Sequence, residues 1–445
     1  MNKSNQSSSD VSRRQFVARS GLAVAGALVA PYVITSHAAP DDPIRLGLIG
    51  CGSRGTGAVG NVFSSTSNVK LVALADLFPD RMKICREELK KMAEQGNKAN
   101  SWAAGTESGQ IKGVSLDLPD DMCFTGFDSY KKLLAISDIN YVILASPPHF
   151  RPIHLRAAVE AGKNVFMEKP VAVDGPGVRS VIESGEIAKK KGLGIVAGTQ
   201  RRHQNNYVEA VKRIQDGAIG DITSARAFWC QGGVWVKPRE AGWTDMEWHL
   251  RNWTYFTWLA GDHIVEQHMH NIDVINWVMG KHPITALGLG GRQARTGPEY
   301  GMIYDHFAVE YEYQGGVRMT SLSRQIDRCS STIGEAVVGT KGRSDCCRII
   351  TGENPWRFAG KLINPYEQEH VDLIKSIREG KPLNEAQQAA ESTLTAIMGR
   401  ESAYSGQIID WDSALESTMD LSPAKYEFGA LPAPVVPIPG KYKFE

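Results

Sequence analysis

Three glycines with the spacing G-x-G-x-x-G lie early in the chain, at Gly50, Gly52 and Gly55. They follow an apolar run, residues 43–50, that predicts a buried parallel strand, and they open a predicted helix. In this setting the first glycine allows a tight turn, the second lets backbone approach a pyrophosphate, and the third lets helix and strand pack closely. The helix N-terminus then faces the phosphates. The residues expected to contact a dinucleotide here are Gly50, Cys51, Gly52, Ser53, Arg54 and Gly55.

A carboxylate ends the next predicted strand, residues 69–76. Asp76 stands 21 residues beyond Gly55, where a carboxylate accepts hydrogen bonds from the ribose hydroxyls of an adenosine. A carboxylate repels a 2′-phosphate, so the sequence favours NAD over NADP as the cofactor. Arg54 and Arg81 are close enough in sequence to keep NADP as an alternative.

A second group of ionisable residues occupies one predicted helix, which has Asp262 as its N-cap and Gly280 as its stop. Steps of three and four residues place five side chains on one helical face. They are His263, Glu266, His270, Asp273 and Trp277. An apolar face elsewhere on the helix predicts that this polar face borders a cavity. Two other interpretations stay open: a polar stripe satisfied by solvent or internally, and a metal site of His263, Glu266 and His270.

Alternating strands and helices must position these residues. Between residues 43 and 198, short apolar runs alternate with predicted helices, which indicates right-handed βαβ units and a parallel sheet. Beyond about residue 170 the strands lengthen and partly alternate, and Gly315-Gly316 forms a hairpin turn between two of them. The predicted fold class is α/β, with an N-terminal Rossmann domain and a C-terminal α/β domain that contains a large, mainly antiparallel sheet.

The first residues have the pattern of a signal peptide. Arg13 and Arg14 precede an apolar run, residues 21–34, and Ser36-His37-Ala38 offers small residues for cleavage after Ala38. The twin arginine predicts export through the Tat route, and the run is short of the ~20 residues needed to span a bilayer. The predicted domains are a signal peptide (1–38), a Rossmann domain (41–170), a substrate and oligomerisation domain (171–420) and an extended Pro-rich tail (421–445). The late helices, 367–402, are candidates to pack back on the first domain.

Two further stretches carry a family resemblance. Ser146-Pro147-Pro148-His149 closes a predicted core strand, and residues 161–170 read AGKNVFMEKP. With the glycine turn, these motifs resemble the glucose–fructose oxidoreductase / inositol dehydrogenase (Gfo/Idh/MocA) family over about residues 44–412. Within it, residues 261–273 (GDHIVEQHMHNID) resemble a Tat-exported group. The resemblance implies cofactor contacts from Ser146, Pro147, His149, Glu168 and Lys169.

The resemblance also implies a catalytic pair. The lysine of the family's Glu-Lys-Pro motif corresponds to Lys169, which acts on a proton beside the nicotinamide, and the second family motif reads here Glu266-x-x-x-His270. Oxidation of a secondary alcohol releases a hydride and a proton, so a base is required. His270 titrates naturally near neutral pH, and burial can bring Lys169 into that range. We assign Lys169 and His270 as the acid/base pair, with Glu266 orienting His270 or binding a substrate hydroxyl. This chemistry needs no metal, so none is expected.

Several other residues are candidates for the substrate pocket. They are Arg202, His263, Asp273, Tyr366 and His370. Six tryptophans between residues 229 and 258 could offer flat faces to pyranose rings, although core packing or an oligomer interface is the more ordinary role of each.

The function predicted from the sequence is that of a periplasmic NAD(P)-dependent oxidoreductase of a sugar, polyol or glycoside. Because the periplasm has no nicotinamide pool, the cofactor is expected to be tightly bound and recycled within the cycle. The first alternative is an NAD-dependent glycosidase or lyase acting through a transient keto-sugar; the second is a non-catalytic sugar- or partner-binding module. A net charge of +1 gives no electrostatic case for nucleic acid or an anionic membrane. We expect a homo-oligomer that does not hold to a membrane after signal cleavage.

Overall fold

The computed structural model of the protein describes residues 42–95, 106, 109, 111, 114–116 and 118–445. The predicted signal peptide, residues 1–38, lies outside the described residues, and so does most of the polar segment 96–119. None of the helices in these described ranges is both long enough and apolar enough to cross a membrane.

A parallel sheet of seven strands forms the first half of the molecule. Its strand order is β3-β2-β1-β5-β6-β7, and β4 pairs with the distal half of β2. The strands are β1 (Ile44–Ile49), β2 (Val69–Asp76), β3 (Val114–Ser115), β4 (Cys123–Thr125), β5 (Tyr141–Leu144), β6 (Asn164–Met167) and β7 (Ile195–Ala197). The central strands are buried on both faces, as their continuous apolar sequences require. The Rossmann domain is therefore confirmed, and its sheet extends to Ala197.

A second sheet has nine strands in the order β15-β14-β13-β12-β8-β11-β10-β9-β16. Only β8 and β11 pair in parallel, so this sheet is mainly antiparallel, as predicted. Its strands are β8 (Ile222–Gln231), β9 (Pro283–Gly291), β10 (His306–Tyr313), β11 (Arg318–Gln325), β12 (Thr332–Gly339), β13 (Gly342–Ser344), β14 (Ile349–Gly352), β15 (Trp356–Arg357) and β16 (Ile409–Asp410). Gly315 and Gly316 both have positive φ in the predicted turn between β10 and β11.

Helices cover the parallel sheet and one face of the second sheet. In the first half they are α1 (Ser53–Ser65), α2 (Pro79–Gln95), α3 (Ser129–Leu134), α4 (Arg151–Glu160) and α5 (Gly175–Lys191). Those that follow are α6 (Asn205–Gln215), α7 (Asp245–Arg251), α8 (Thr257–Ala260), α9 (Met269–Met279), α10 (Pro365–Arg378), α11 (Ala386–Ser405) and α12 (Trp411–Glu416). A π-helical turn, Ile264–His268, leads directly into α9.

The late helices hold the two sheets together. α10 packs on α1, where Ser65 donates a hydrogen bond to the carbonyl of Glu367. α11 contacts both α5 and β9, and one continuous apolar core runs from Leu144 and Met167 of the parallel sheet to Tyr311 and Met319 of the second. Burial of this core holds the two sheets together through the helices packed between them.

The tail after α12 has no regular helix or strand, as its proline content predicts. It is nonetheless bonded along its length. Its start is held where the Leu421 N–H donates to Asp174, and its end where Tyr442 donates to Glu401. Between these points it crosses both halves of the molecule.

Candidate active site

The glycine turn has the geometry that the sequence predicts. Gly50 has φ +101°, and a Cβ there would lie 2.4 Å from the Ser146 nitrogen. A Cβ on Gly55 would lie 2.0 Å from the Gly50 carbonyl oxygen. These two glycines are therefore required by internal packing. Gly52 is different, because its φ is ordinary and a Cβ there would meet no atom of the described chain within 4 Å.

Asp76 is the last residue of β2, next to the glycine turn. Its carboxylate accepts the Cys51 N–H at 2.6 Å and the Phe78 N–H at 2.8 Å, so it ties the glycine turn to the end of β2. Burial raises the pKa of Asp76 above its ordinary value, although the two N–H bonds favour the charged form. The carboxylate lies where the ribose of a dinucleotide is expected.

Arg54 links the glycine turn to the Glu-Lys-Pro motif. Its Nε donates to Glu168 Oε1 at 2.5 Å, and its guanidinium lies 4.9 Å from the centre of the Tyr366 ring. Its Nη2 is buried without a hydrogen-bond partner among the described residues. This places Arg54 at the end of β6 and leaves one donor free for a bound anionic group. Tyr366, a predicted pocket residue, is thus at the site.

Lys169 follows β6 and reaches the π-helical turn. Its Nζ donates to the Glu266 carbonyl oxygen at 2.5 Å and lies 3.2 Å from Glu266 Oε1. The Lys169 side chain is 11 % exposed and that of Glu266 is 19 % exposed, so the pair is sheltered but open on one side. The structure therefore brings together two of the three predicted catalytic residues.

His270, the third, lies on α9 close to this pair. It is buried, and its ring stacks on Trp229 of β8 with 5.7 Å between ring centres. Burial lowers the pKa of His270 well below its ordinary value, and the charges of Lys169, Arg201 and Arg54 act in the same direction. We infer that the imidazole is neutral at neutral pH.

The π-helical turn changes which residues share a face. A regular α-helix, as predicted from the sequence, would align His263 with Glu266 and His270. A π-turn takes in an extra residue, so the face rotates between His263 and His270. His263 instead packs on Phe307. Burial lowers the pKa of His263 well below its ordinary value, and the charge of Arg295 acts in the same direction.

Arg202 and Asp273, predicted to bind substrate, bind each other. Arg202 donates through Nε and Nη2 to the Asp273 carboxylate at 2.9–3.1 Å, and Ser392 donates to the same carboxylate at 2.7 Å. Asp273 is 1 % exposed. These contacts fill its acceptor positions, so the pair joins α9 to α11 and to the loop after β7.

His370 lies beneath the parallel sheet instead of in a pocket. Its Nδ1 is 2.8 Å from the Tyr141 hydroxyl, and its ring centre is 4.3 Å from that of Phe166. It is fully buried. Tyr366, four residues earlier on the same face of α10, lies at the start of the helix, where it contacts Arg54, and His370 lies one turn further along, against the sheet.

The turn after β5 contacts the tail. Ser146 bonds His154 at 3.0 Å, and Pro147 leads into a short turn that ends with His149 and Phe150. His149 Nε2 lies 2.8 Å from the Tyr426 hydroxyl, and burial lowers the pKa of His149 to about 4. The tail therefore lies against one of the predicted cofactor contacts.

Aromatic residues that the sequence analysis did not select complete this edge. Phe428 lies 5.4 Å from Phe127 and 6.0 Å from Phe78, measured between ring centres, and Phe78 follows Asp76 by two residues. The one available signal was a pair of aromatic residues, Tyr426 and Phe428, in an otherwise proline-rich tail. Of the six tryptophans between residues 229 and 258, most pack in one apolar cluster with Phe78. Trp229 instead stacks on His270.

No group of three or more histidine, cysteine, aspartate or glutamate side chains has the geometry of a metal site within the described ranges. Because His263 points toward Phe307, the alternative set of His263, Glu266 and His270 does not converge.

This chain belongs to the Gfo/Idh/MocA family. Residues 44–199 match the family described as "Oxidoreductase family, NAD-binding Rossmann fold", and residues 207–344 match the "GFO/IDH/MocA C-terminal domain". The family resemblance, the fold class and the NAD-binding type of the first domain are thereby confirmed.

Named relatives include both dehydrogenases and a hydratase. An inositol 2-dehydrogenase of Gluconacetobacter diazotrophicus is 24% identical over 351 residues, 76% of this chain and 87% of that protein. The 2,7-anhydro-N-acetylneuraminate hydratase of Escherichia coli is 26% identical over 191 residues, 42% of this chain and 46% of that protein. The match thus spans about half the length of that relative. The crystal structure of an aldose-aldose oxidoreductase from Caulobacter crescentus complexed with glycerol superposes with TM-score 0.62 at 17% identity, over 83% of this chain and 100% of that one.

Proposed function

We propose that the protein is an exported, NAD-dependent oxidoreductase that oxidises a secondary hydroxyl of a sugar or polyol. The observation that carries this proposal is the position of Lys169. Its amine donates a hydrogen bond to the Glu266 carbonyl, near the buried His270. Lys169 follows β6, which belongs to the same sheet as β1, the strand that leads into the glycine turn. An acid/base group and a dinucleotide site at one sheet edge are what alcohol oxidation requires.

The residues present fit NAD. Packing explains Gly50 and Gly55, and close approach by a bound group accounts for a glycine at position 52, where the chain leaves open space. Asp76 and the free Nη2 of Arg54 supply an acceptor for ribose and a donor for phosphate. Arg54 is held by Glu168, away from Asp76, which favours NAD over NADP. When bound, NAD supplies the hydride acceptor at its nicotinamide ring.

The chain's own residues then move the proton. Lys169 is the acid/base residue, because its amine is anchored by the Glu266 carbonyl and still meets the open side of the cleft. Neutral His270 accepts a hydrogen bond from the substrate hydroxyl and fixes its orientation. Trp229 stacks behind His270 and presents apolar surface to a sugar ring. Glu266 keeps the amine in place.

A second candidate is a redox-neutral reaction through a transient keto-sugar. The similarity to a 2,7-anhydro-N-acetylneuraminate hydratase favours it. After oxidation, the same base removes the acidified proton next to the carbonyl, a leaving group departs, and the hydride is returned. Lys169 and His270 serve both reactions, so the two candidates differ only in the substrate's leaving group.

We further propose that the protein is exported folded, as a Tat substrate with the signal peptide 1–38, and that it keeps its cofactor in the periplasm. The twin arginine at Arg13 and Arg14 supports the route. The tail supports retention, because Phe428 packs on Phe78, two residues beyond Asp76, and Tyr426 bonds His149 in the turn after β5.

Retention can be tested with Phe428→Ala. We expect the dissociation of the bound cofactor to accelerate by up to roughly 10-fold, because the substitution removes a ring that is 48 % exposed and packs on Phe78 and Phe127, and such aromatic pairs contribute about 0.5–1.5 kcal/mol. Release would be followed by fluorescence of NADH from the loaded protein. Phe444→Ala, near the end of the same tail, is the control and should leave release unchanged. Equal release rates for the two variants would contradict a role for Phe428.

We also propose a homo-oligomer. The outer face of the second sheet has no helix on it among the described elements and carries an apolar row, Leu289–Ala308–Leu322–Phe228, across four neighbouring strands. Leu289 is 71 % exposed. A continuous apolar row of this kind is typical of a subunit interface.

An absorbance screen tests the proposed function. Protein purified from periplasm should contain bound nicotinamide, and one or more members of a panel of sugars, polyols, glycosides and 3-keto sugars should change its absorbance near 340 nm. A sugar that is only oxidised supports the oxidoreductase. A sugar that also loses its leaving group supports the redox-neutral reaction. Cofactor-free protein that responds only to millimolar added NAD would contradict retention, and no redox change with any member would contradict the enzyme.

A further inference from the structure

Arg295 is a buried cation whose donors are not all used. It lies in the loop between β9 and β10 and is 6 % exposed. Its Nη1 donates to Gln325 at 2.9 Å, but its Nε and Nη2 are buried with no hydrogen-bond partner among the described residues. The rings of Tyr255 and Tyr300 lie 5.4 and 5.6 Å from its guanidinium carbon. Buried donors are normally satisfied, so two unused ones on a cation indicate a missing partner.

The backbone of Arg295 is fixed from both sides. Its N–H donates to Asp305 Oδ2, which also accepts the N–H groups of Gln293 and Ala294. Its carbonyl accepts a hydrogen bond from Arg292, which also bonds the Gly297 and Gly301 carbonyls. The loop is therefore built to hold this one guanidinium in place, and the Asp305 carboxylate is occupied by these backbone N–H groups and by His306.

Strand register connects Arg295 to the redox site. Gln325, the partner of Arg295, ends β11, and Ser323 stands two residues before it on the same face of the strand. Ser323 pairs with Trp229 of β8, the residue on which His270 stacks. Ser323 is buried, and its hydroxyl has no partner in the described chain. Ser323, and Arg295 through its bond to Gln325, thus supply three unused donors beside the strand face that carries Trp229, on which His270 stacks.

We propose that Arg295, assisted by Ser323, binds the carboxylate of an acidic sugar whose hydroxyl reacts at Lys169. This inference rests on the proposed function and names its substrate class. Nε and Nη2 form the edge of a guanidinium that binds a carboxylate through two parallel hydrogen bonds. The chain uses the same two atoms in this way elsewhere, where Arg202 binds Asp273. A hexuronic acid or its glycoside has the required carboxylate on the ring.

The test compares matched sugars on the loaded protein. Binding of D-glucuronate and D-galacturonate is measured by titration calorimetry against D-glucose and D-galactose, on wild type, Arg295→Met, Ser323→Ala and Arg213→Met. Arg213 is the control, because its guanidinium also lies over an aromatic ring, Trp356, at 5.0 Å, but on the surface. Cofactor absorbance is recorded on the same samples.

We expect at least one uronate to bind about 10-fold or more tightly than its neutral counterpart. Arg295→Met should weaken that uronate about 10- to 100-fold, the range expected for charge-assisted hydrogen bonds, and leave the neutral sugar unchanged. Ser323→Ala should weaken it several-fold, and Arg213→Met should have no effect.

Uronates that bind no better than their neutral counterparts to wild type would overturn the proposal, whether or not Arg295→Met folds. Equal weakening of acidic and neutral sugars by Ser323→Ala would also overturn it. If a uronate binds through Arg295 but no sugar changes the cofactor absorbance, the carboxylate site stands and the proposed redox function falls.

Discussion

Lys169→Met is expected to lower kcat by about 10²- to 10⁴-fold, the contribution typical of a positioned acid/base group. Methionine keeps the length of the side chain but cannot accept or return the hydroxyl proton. The glycine turn and Asp76 are untouched, so the bound nicotinamide content should remain that of wild type. KM should change little, because Lys169 bonds Glu266 in the free protein and is not needed to hold the sugar. Single-turnover reduction of the bound cofactor measures the effect directly.

Lys191→Met is the matched control for this substitution. The Lys191 amine also donates to main-chain carbonyls, those of Val159 and Glu160 at 3.0 and 2.9 Å, but at the far end of α5. It should retain full activity. If Lys169→Met keeps activity within tenfold of wild type, the amine is a strut for the π-helical turn and proton transfer belongs to another group. A parallel loss of bound cofactor would instead assign the Lys169 amine to cofactor binding.

Gly52→Val should abolish cofactor retention while leaving the fold intact. A Cβ at this position meets no atom of the described chain within 4 Å, so we expect the melting temperature of the cofactor-free variant to match that of cofactor-free wild type. The side chain would instead occupy the space in which backbone and pyrophosphate meet. We expect affinity for NAD to fall about 100-fold or more, because several hydrogen bonds to a charged group are lost together. Calorimetric titration with NAD gives the value.

Gly57→Val provides the comparison. Gly57 lies five residues further along, in α1, and a Cβ there also meets nothing within 4 Å. Valine is a better helix former than glycine, so this variant should be as stable as wild type or slightly more so, with unchanged cofactor content. Equal NAD affinity in the Gly52→Val and Gly57→Val proteins would show that no phosphate approaches the second glycine.

The sequence was sufficient for the parallel sheet and for the dinucleotide end of the site. Apolar strands, the glycine spacing and Asp76 are local signals, and each depends on residues close together in the chain. The pairing of Lys169 with Glu266, 97 residues apart, was reached only through the family resemblance, since no period or spacing connects two domains.

The remaining parts of the site depend on long-range geometry. Whether Asp273 faces a substrate or Arg202 is decided by where β7 ends relative to α9, which the sequence does not reveal. A regular period was assumed for the helix that contains His263, and a π-turn has no clear sequence signal. Arg295 stands in a loop, and its position beside Gln325 follows from the register of β10 and β11.

The course of the tail has a consequence for how the protein is made. Tyr426 and Phe428 follow both sheets in the chain, so a ribosome completes the glycine turn, Asp76 and Lys169 well before it supplies the residues that lie over Phe78 and His149. A nascent chain is therefore expected to present an uncovered groove to the nucleotide pool of the cell interior. The cofactor would therefore bind before the tail covers the site. Under the export proposed above, this order of synthesis favours an occupied site before the finished chain leaves the compartment where it was translated.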